Sequence, residues 1–97
     1  MNRPAVRFTA EAARLISLLH PETRRIIRLA IDELRKNPML GDDLQEELSG
    51  FKSYKPKRYR IIYKFDDESN TISVYFVGHR KDVYQQFGQM LKKLNRA

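Results

Sequence analysis

Apolar residues in the first half of the chain recur at the spacing of an α-helix. Thr9 precedes the first such run and is predicted to be its N-cap, since its hydroxyl can accept from a backbone N–H of the first turn. Pro21 ends this helix and starts a second, which stops before Pro38. The apolar positions are Ala12, Ala13, Leu15, Ile16 and Leu19, then Ile26, Ile27, Ala30, Ile31 and Leu34. We expect an antiparallel helical hairpin behind a short strand at residues 6–8.

Beyond Gly50 the apolar residues alternate with polar ones, which is typical of β-strands. Residues 58–65 and 71–80 are predicted to be strands joined by a hairpin loop at residues 66–70. Residues 42–49 are expected to form a loop or a short turn. The sequence therefore predicts an antiparallel sheet after the helices.

The register of these two strands decides where His79 lies. Matching the apolar faces pairs Phe65 with Ile72, Tyr63 with Val74 and Ile61 with Phe76. On this register His79 lies opposite Arg58 and diagonal to Arg60, on the sheet face turned away from the core. One imidazole and two guanidiniums are thus predicted to share an open surface.

A last helical pattern follows Gly78. Its apolar positions are Val83, Phe87, Met90, Leu91 and Leu94, and Gly88 weakens the helix in its middle. The expected fold class is α+β: an N-terminal strand and helical hairpin, followed by a three-stranded antiparallel sheet segment and a C-terminal helix. A chain of 97 residues is expected to form one domain, over residues 1–97.

Positive charge is concentrated in the second half of the chain. Residues 51–97 contain eleven Lys and Arg against four Asp and Glu, whereas residues 1–50 contain eight of each, so the second half carries the whole net charge of +7. In the densest segment the cations are Lys52, Lys55, Lys57, Arg58 and Arg60, with Tyr54 and Tyr59 between them. Cations hold phosphates and aromatic rings stack on bases, so this segment favours RNA or DNA over a membrane surface. A basic surface kept for solubility is the alternative.

Composition excludes several classes of protein. The chain has no cysteine, which rules out disulfides and thiolate metal sites, and two histidines cannot form a histidine-rich metal cage. The first residues lack the apolar run of a signal peptide, and no stretch approaches the roughly 20 apolar residues of a membrane span. We expect a soluble, cytoplasmic protein without a metal or a membrane partner.

Two sequence blocks resemble a known family. Behind the predicted hairpin, YRIIYKFDD at residues 59–67 and GHRKDVY at residues 78–84 are similar to the RelE/ParE superfamily of type II toxins, specifically its RelE branch. The resemblance covers nearly the whole chain. It implies a toxin that enters the A site of the 30S ribosomal subunit and cleaves mRNA there through the 2′-OH, with no metal or other cofactor. It also implies a cognate antitoxin, whose acidic, partly disordered segment we expect to mask Arg60 and Arg80.

The resemblance gives roles to two arginines. Arg60 matches the arginine of the family's YR strand and is expected to grip the scissile phosphate with its planar fork of donors. Arg80 matches the arginine after the last strand and is expected to stabilise the transition-state charge. Strict alternation would turn Arg80 toward the core, so a β-bulge or a strand end near Gly78 is required to bring it to the site.

Tyr84 and His79 are the candidates for proton transfer. Tyr84 matches the tyrosine of the family's final VY, as an acid, a base or a stacking platform, although a tyrosine three residues before Phe87 on a helix also fits a core position. His79 stands where the prototype RelE has a lysine, whereas many relatives have GHR as here. Its imidazole titrates near neutrality and is a candidate general base, with an ordinary surface histidine as the alternative.

The lysines match the family less directly. A gap-free alignment back from Arg60 places Phe51 and Ser53 where the prototype has catalytic lysines, so Lys52 and Lys55 are near matches only. Lys55 is preferred as the catalytic lysine. The expected RNA-binding residues are Lys52, Lys57 and Arg58.

A non-catalytic function is the alternative to a nuclease. The same fold serves ParE-like toxins that inhibit gyrase, and a toxin-fold protein can also have lost cleavage. The nuclease interpretation is favoured because the residues that it requires occur together. They are Arg60, His79, Arg80 and Tyr84.

Overall fold

A computed structural model describes residues 2–95 and consists of a central sheet with helices on both faces. Its elements in chain order are β1 (Ala5–Phe8), α1 (Ala10–Ser17), α2 (Pro21–Lys36), β2 (Asp42–Asp43), a 3-10 helix (Glu46–Leu48), β3 (Lys52–Tyr54), β4 (Tyr59–Asp66), β5 (Thr71–His79) and α3 (Val83–Leu94). The five strands follow the order β1-β5-β4-β3-β2, with β1 parallel to β5 and the other pairs antiparallel. The predicted α+β class is confirmed, and β1 and β2 widen the predicted three-stranded segment at its two edges.

Local capping explains both helices of the hairpin. The Thr9 hydroxyl accepts a hydrogen bond from the Ala12 N–H at 3.1 Å, which confirms the predicted N-cap. His20 caps α2, its Nδ1 accepting from the Glu22 N–H at 3.3 Å, and Pro21 takes the first helical position. Within residues 2–95, no helix combines the length and the apolar character that a membrane crossing requires.

The two faces of the sheet bury separate apolar clusters. The cluster on the hairpin side contains Ala12, Ile27, Ala30, Ile31, Leu34, Ile61, Tyr63, Ile72, Val74 and Val77. The cluster on the α3 side contains Phe51, Ile62, Phe76, Val83 and Phe87. The sequence predicts that the Arg60 face of the sheet is open, but α3 covers part of it and Ile62 on that face is fully buried. Arg60 itself remains partly exposed at the end of β4 that follows the β3–β4 turn.

A β-bulge in β5 corrects the predicted register. The pairs Phe65–Ile72 and Tyr63–Val74 are confirmed. Beyond them, Ile62 pairs with Phe76 and Ile61 with Val77, so the predicted pair of Ile61 with Phe76 is wrong. Tyr75 is the extra residue, and it reverses the alternation of β5 so that Phe76 faces α3 and Val77 faces the hairpin.

The connection between α2 and β3 contains a strand that the sequence does not predict. In place of a loop or turn, Asp42–Asp43 forms the edge strand β2. Tyr63 anchors the segment that precedes β2. Its hydroxyl donates to the Pro38 carbonyl at 2.7 Å and accepts from the Gly41 N–H at 2.9 Å. A Cβ on Gly41 would lie 2.5 Å from the Tyr63 hydroxyl oxygen, so the contact requires glycine. Burial raises the pKa of Tyr63, which keeps this hydroxyl protonated.

Candidate functional site

Three arginines lie at the end of the sheet where β4 begins and β5 ends. Arg60 is paired with Gly78 across these strands, and the Arg80 N–H donates to the Arg58 carbonyl at 2.8 Å, which continues the pairing past the end of β5. Because the bulge at Tyr75 reverses the alternation of β5, Arg80 takes the same face as Arg58 and Arg60. The bulge expected near Gly78 therefore exists, but earlier in the strand.

His79 lies on the opposite face of the sheet. It is paired with Tyr59, and the two rings meet edge to face with their centroids 5.8 Å apart. The predicted position of His79, opposite Arg58 and diagonal to Arg60, is wrong. The bulge that places Arg80 on the α3 face also places His79, the residue before it, on the hairpin face. The His79 Nδ1 accepts from the Lys81 N–H at 3.3 Å, so one ring nitrogen takes part in the turn after β5.

The two candidate lysines, Lys52 in β3 and Lys55 directly after it, face opposite sides of the sheet. The register of β3 and β4, continued by one residue, places Lys55 beside Arg60 on the α3 face. Its ammonium lies 3.0 Å from a carboxylate oxygen of Asp42. Lys52 lies on the hairpin face, where its ammonium is 2.8 Å from a carboxylate oxygen of Asp43. Only Lys55 of these two shares a face with Arg60.

The turn between β3 and β4 presents two further cations. Lys57 and Arg58 are its central residues, and the Tyr59 N–H closes it by donating to the Pro56 carbonyl at 3.0 Å. Both basic side chains are exposed. Lys57 has a φ of 56°, in the left-handed region. The guanidinium of Arg60 bonds back to this turn, its Nη1 donating to the carbonyls of Lys57 at 3.1 Å and Tyr59 at 2.7 Å.

Tyr84 stands in the first turn of α3, over the same face. Its hydroxyl is hydrogen-bonded to that of Ser53 at 2.8 Å, and its ring is partly buried against the α3-side cluster. A Cβ on Gly78 would approach the Val83 side chain to 3.2 Å, so the helix start lies close to β5. This approach carries the Tyr84 hydroxyl to Ser53, the residue that the gap-free alignment places where the family has a lysine. Tyr84 thus has a ring that packs against the core and a hydroxyl that lies beside Ser53 on the face that holds Arg60.

We call this group of residues the cationic site. It comprises Lys55, Lys57, Arg58, Arg60, Arg80, Tyr84 and Ser53. Its basic side chains can bind the oxygens of a phosphodiester, and its tyrosine hydroxyl can exchange a proton or a hydrogen bond with a bound sugar. The sequence does not single out Asp42, which contacts Lys55, because a short acidic segment gives no signal that it pairs with β3.

Sequence comparison identifies the family. The family model described as the ParE toxin of the type II toxin-antitoxin system parDE matches residues 5–84. Toxin RelG of Mycobacterium tuberculosis is 35% identical over 83 residues, which cover 84% of this chain and 95% of RelG. The chain belongs to the RelE/ParE superfamily of type II toxins.

Solved structures agree with membership of the RelE/ParE superfamily. In the crystal structure of the toxin–antitoxin complex RelBE2 from Mycobacterium tuberculosis, one chain is similar with a TM-score of 0.74 and 33% identity, covering 81% of this chain and 100% of that one. The isolated RelE toxin of E. coli has a TM-score of 0.69 at 17% identity, covering 94% and 98% of the two chains. At that identity the likeness to RelE concerns the fold alone. The resemblance stated from the sequence is thus confirmed at the level of the superfamily.

Within this RelE/ParE-superfamily toxin, the fold separates the candidate residues into two groups. The residues that share the α3 face near the β3–β4 turn are Lys55, Arg58, Arg60, Arg80 and Tyr84, and Lys57 lies in the turn itself. Lys52 and His79 lie on the hairpin face. Ser53 and Asp42 join the first group through contacts with Tyr84 and Lys55. The gap-free alignment was the one sequence signal that pointed to Ser53.

Proposed function

We propose that this toxin is a ribosome-dependent endoribonuclease, which cleaves mRNA in the A site of the 30S subunit without a metal and so inhibits translation. The observation that carries the proposal is the effect of the bulge at Tyr75. It brings Arg80 to the face that already holds Arg60 and Lys55, the same face on which the Tyr84 hydroxyl bonds to Ser53. A sheet that kept strict alternation would divide these groups between its two faces.

The proposed reaction is an attack of the ribose 2′-oxygen on the adjacent phosphorus. A bond forms from the 2′-oxygen to phosphorus, the bond from phosphorus to the 5′-oxygen breaks, and the products carry a 2′,3′-cyclic phosphate and a 5′-hydroxyl. Arg60 and Arg80 bind the phosphate oxygens, on which negative charge develops in the transition state. The reaction also requires one group that takes the 2′-OH proton and one that gives a proton to the 5′-oxygen.

Lys55 and Tyr84 are the proton-exchanging side chains of the proposal, since both stand on the face that holds Arg60. Ser53 orients the Tyr84 hydroxyl. His79 has no proton-transfer role in the proposal, because it lies beside Tyr59 on the other face. Lys57 and Arg58, at the tip of the turn, would contact phosphates next to the cleaved one.

The proposed partner in the absence of the ribosome is a cognate antitoxin. The relative of known structure from Mycobacterium tuberculosis was solved as a toxin–antitoxin complex, and so was RelBE of E. coli. An acidic, partly disordered antitoxin segment would match the charge of the cationic site and cover Arg60 and Arg80. Such a segment would exclude mRNA by occupying the residues that bind its phosphates.

Cleavage assays with and without ribosomes test this function. We expect the wild-type toxin to cut mRNA on programmed ribosomes and to cut free mRNA poorly. Arg60→Ala and Arg80→Ala should each lower the single-turnover rate by about 10²–10³-fold, the scale for loss of one donor to a developing charge. Arg7→Ala, which removes an exposed arginine from the edge strand β1, is the matched control and should retain activity. Equal cutting of free and ribosome-bound mRNA, or full activity of Arg60→Ala, would contradict the proposal.

The second candidate function is inhibition of gyrase, as in ParE-like toxins. It is favoured by one observation, the match of the ParE toxin family model to residues 5–84. The two candidates differ in the need for the cationic site, because a gyrase inhibitor does not require a phosphate-cleaving set of residues. A supercoiling assay with purified gyrase separates them. Inhibition of gyrase by a protein that leaves ribosome-bound mRNA intact would favour this second function.

A further inference from the structure

The Arg60 guanidinium is held by the backbone of the turn that precedes it. Its Nη1 donates to the carbonyls of Lys57 and Tyr59, at 3.1 and 2.7 Å. Nη1 carries two of the five N–H donors of a guanidinium, so these bonds use one edge of the group. Among residues 2–95, the Nε and Nη2 donors of Arg60 have no protein partner. That second edge is the planar fork that can bind two oxygens of one phosphate.

The turn depends on an unfavourable backbone conformation at Lys57. Its φ of 56° lies in the left-handed region, where a side chain with a Cβ is disfavoured and glycine or asparagine is common. Two-residue hairpin turns need such a positive φ, because it matches the twist of the strands that they join. The Tyr59 N–H closes the turn on the Pro56 carbonyl at 3.0 Å. The turn therefore requires a positive φ at position 57, a backbone conformation that lysine disfavours.

We propose that Lys57 is a positioning residue for Arg60. The left-handed turn at Lys57 presents its carbonyl to Nη1, and this bond aims the Nε–Nη2 edge of Arg60 at the scissile phosphate. The inference rests on the proposed function. It separates two contributions of Lys57: its ammonium attracts RNA, and its backbone holds Arg60. A free arginine side chain samples many rotamers and loses this conformational entropy when it binds RNA. If the side chain is already held in one rotamer, the entropy lost on binding is smaller.

Three substitutions separate the charge of Lys57 from its backbone conformation. Lys57→Asn, Lys57→Gly and Lys57→Val remove the same charge. Asparagine and glycine accept a positive φ, whereas a β-branched valine resists it. All three should weaken association with programmed ribosomes alike. At saturating ribosomes, the single-turnover rate of Lys57→Val should fall about 10–100-fold below the rates of Lys57→Asn and Lys57→Gly, the scale of a misplaced catalytic group.

A second measurement follows Arg60 without relying on cleavage. In ¹⁵N-labelled protein the Nε–H signal of Arg60, assigned by its loss in Arg60→Lys, should be unchanged in Lys57→Asn and Lys57→Gly. In Lys57→Val it should move toward the position of an exposed, mobile arginine. Should the valine variant fail to fold, Lys57→Ala gives the same comparison with a smaller conformational penalty, and an intermediate rate and signal are expected.

One result would overturn the inference. Equal rates for the valine, asparagine and glycine variants would show that the backbone of Lys57 does not act on Arg60, and if all three rates were equally reduced, the loss would be due to the charge alone. If wild-type toxin fails to cut ribosome-bound mRNA, the proposed function is wrong, while the Arg60 signal still tests the positioning by itself.

Discussion

At the scale of single residues, each of the two aspartates of β2 pairs with one of the candidate lysines. Asp43 contacts Lys52, whose side chain is only 16% exposed, on the hairpin face. Asp42 contacts Lys55, whose side chain is 52% exposed, beside Arg60. Exposed ion pairs contribute only about 0–1 kcal/mol, so a phosphate can replace Asp42 at Lys55. Asp42 is therefore expected to compete with RNA, whereas Asp43 is not.

Asp42→Asn should tighten binding of an uncleavable 2′-deoxy oligonucleotide by about two- to fivefold at low salt, because it removes the charge that competes with phosphate. The dependence of log Kd on log salt concentration should steepen by up to about one. Asp43→Asn is the matched control, since it removes the neighbouring carboxylate on the other face, and it should change the affinity little. Fluorescence anisotropy across a salt series measures both. The same gain in both variants would mean that the effect is one of net charge alone.

At the scale of elements, the bulge in β5 is the feature that sequence patterning cannot show. Tyr75, Phe76 and Val77 are all large and apolar, so a reversal of alternation among them leaves no trace in the sequence. Strand β2 also leaves no pattern in its own residues. The segment before it is held in place by the Tyr63 hydroxyl, which lies about twenty residues further along the chain. The helices were predictable, since Thr9 caps the first one through a local contact.

The family resemblance selected three candidate residues that the fold places on one face of the sheet. They are Arg60, Arg80 and Tyr84. The faces on which the His79 and Lys52 side chains lie depend on the register of their strands. A shift of one residue in that register moves a side chain to the opposite face of the sheet. The faces that these side chains take could therefore not be predicted from periodicity alone once a bulge intervenes.

Tyr63→Phe tests the anchor of β2. Removing the hydroxyl leaves the Gly41 N–H and the Pro38 carbonyl without their partner, so the free energy of unfolding should fall by about 1–3 kcal/mol. Tyr54→Phe is the control. Its hydroxyl donates to Glu33 at the surface, where water can take over the bond, so a smaller loss is expected. Urea denaturation measures both, and an equal loss in the two variants would count against the anchor.

At the scale of the whole molecule, the basic residues occupy more than the cationic site. Helix α3 begins with Tyr84 at that site and ends with exposed Lys92 and Lys93 in its last turn. Eight residues of helix separate Tyr84 from Lys92 by about 12 Å, which exceeds the Debye length of about 8 Å at physiological ionic strength. On the proposed function, the lysines at the end of α3 would therefore attract ribosomal RNA without acting on the scissile phosphate.

Replacing Lys92 and Lys93 together by alanine should slow association with programmed ribosomes and lower the salt slope of log Kd by about one to two, because each lysine releases counterions on binding RNA. The single-turnover rate at saturating ribosomes should remain that of wild type. Arg60→Ala should show the reverse, a large loss of rate with a smaller change in association. Stopped-flow binding at several ionic strengths and cleavage at saturation distinguish the two. A double lysine variant that lost the saturated rate as severely as Arg60→Ala would place the end of α3 in the chemistry, and the division between steering and catalysis would not hold.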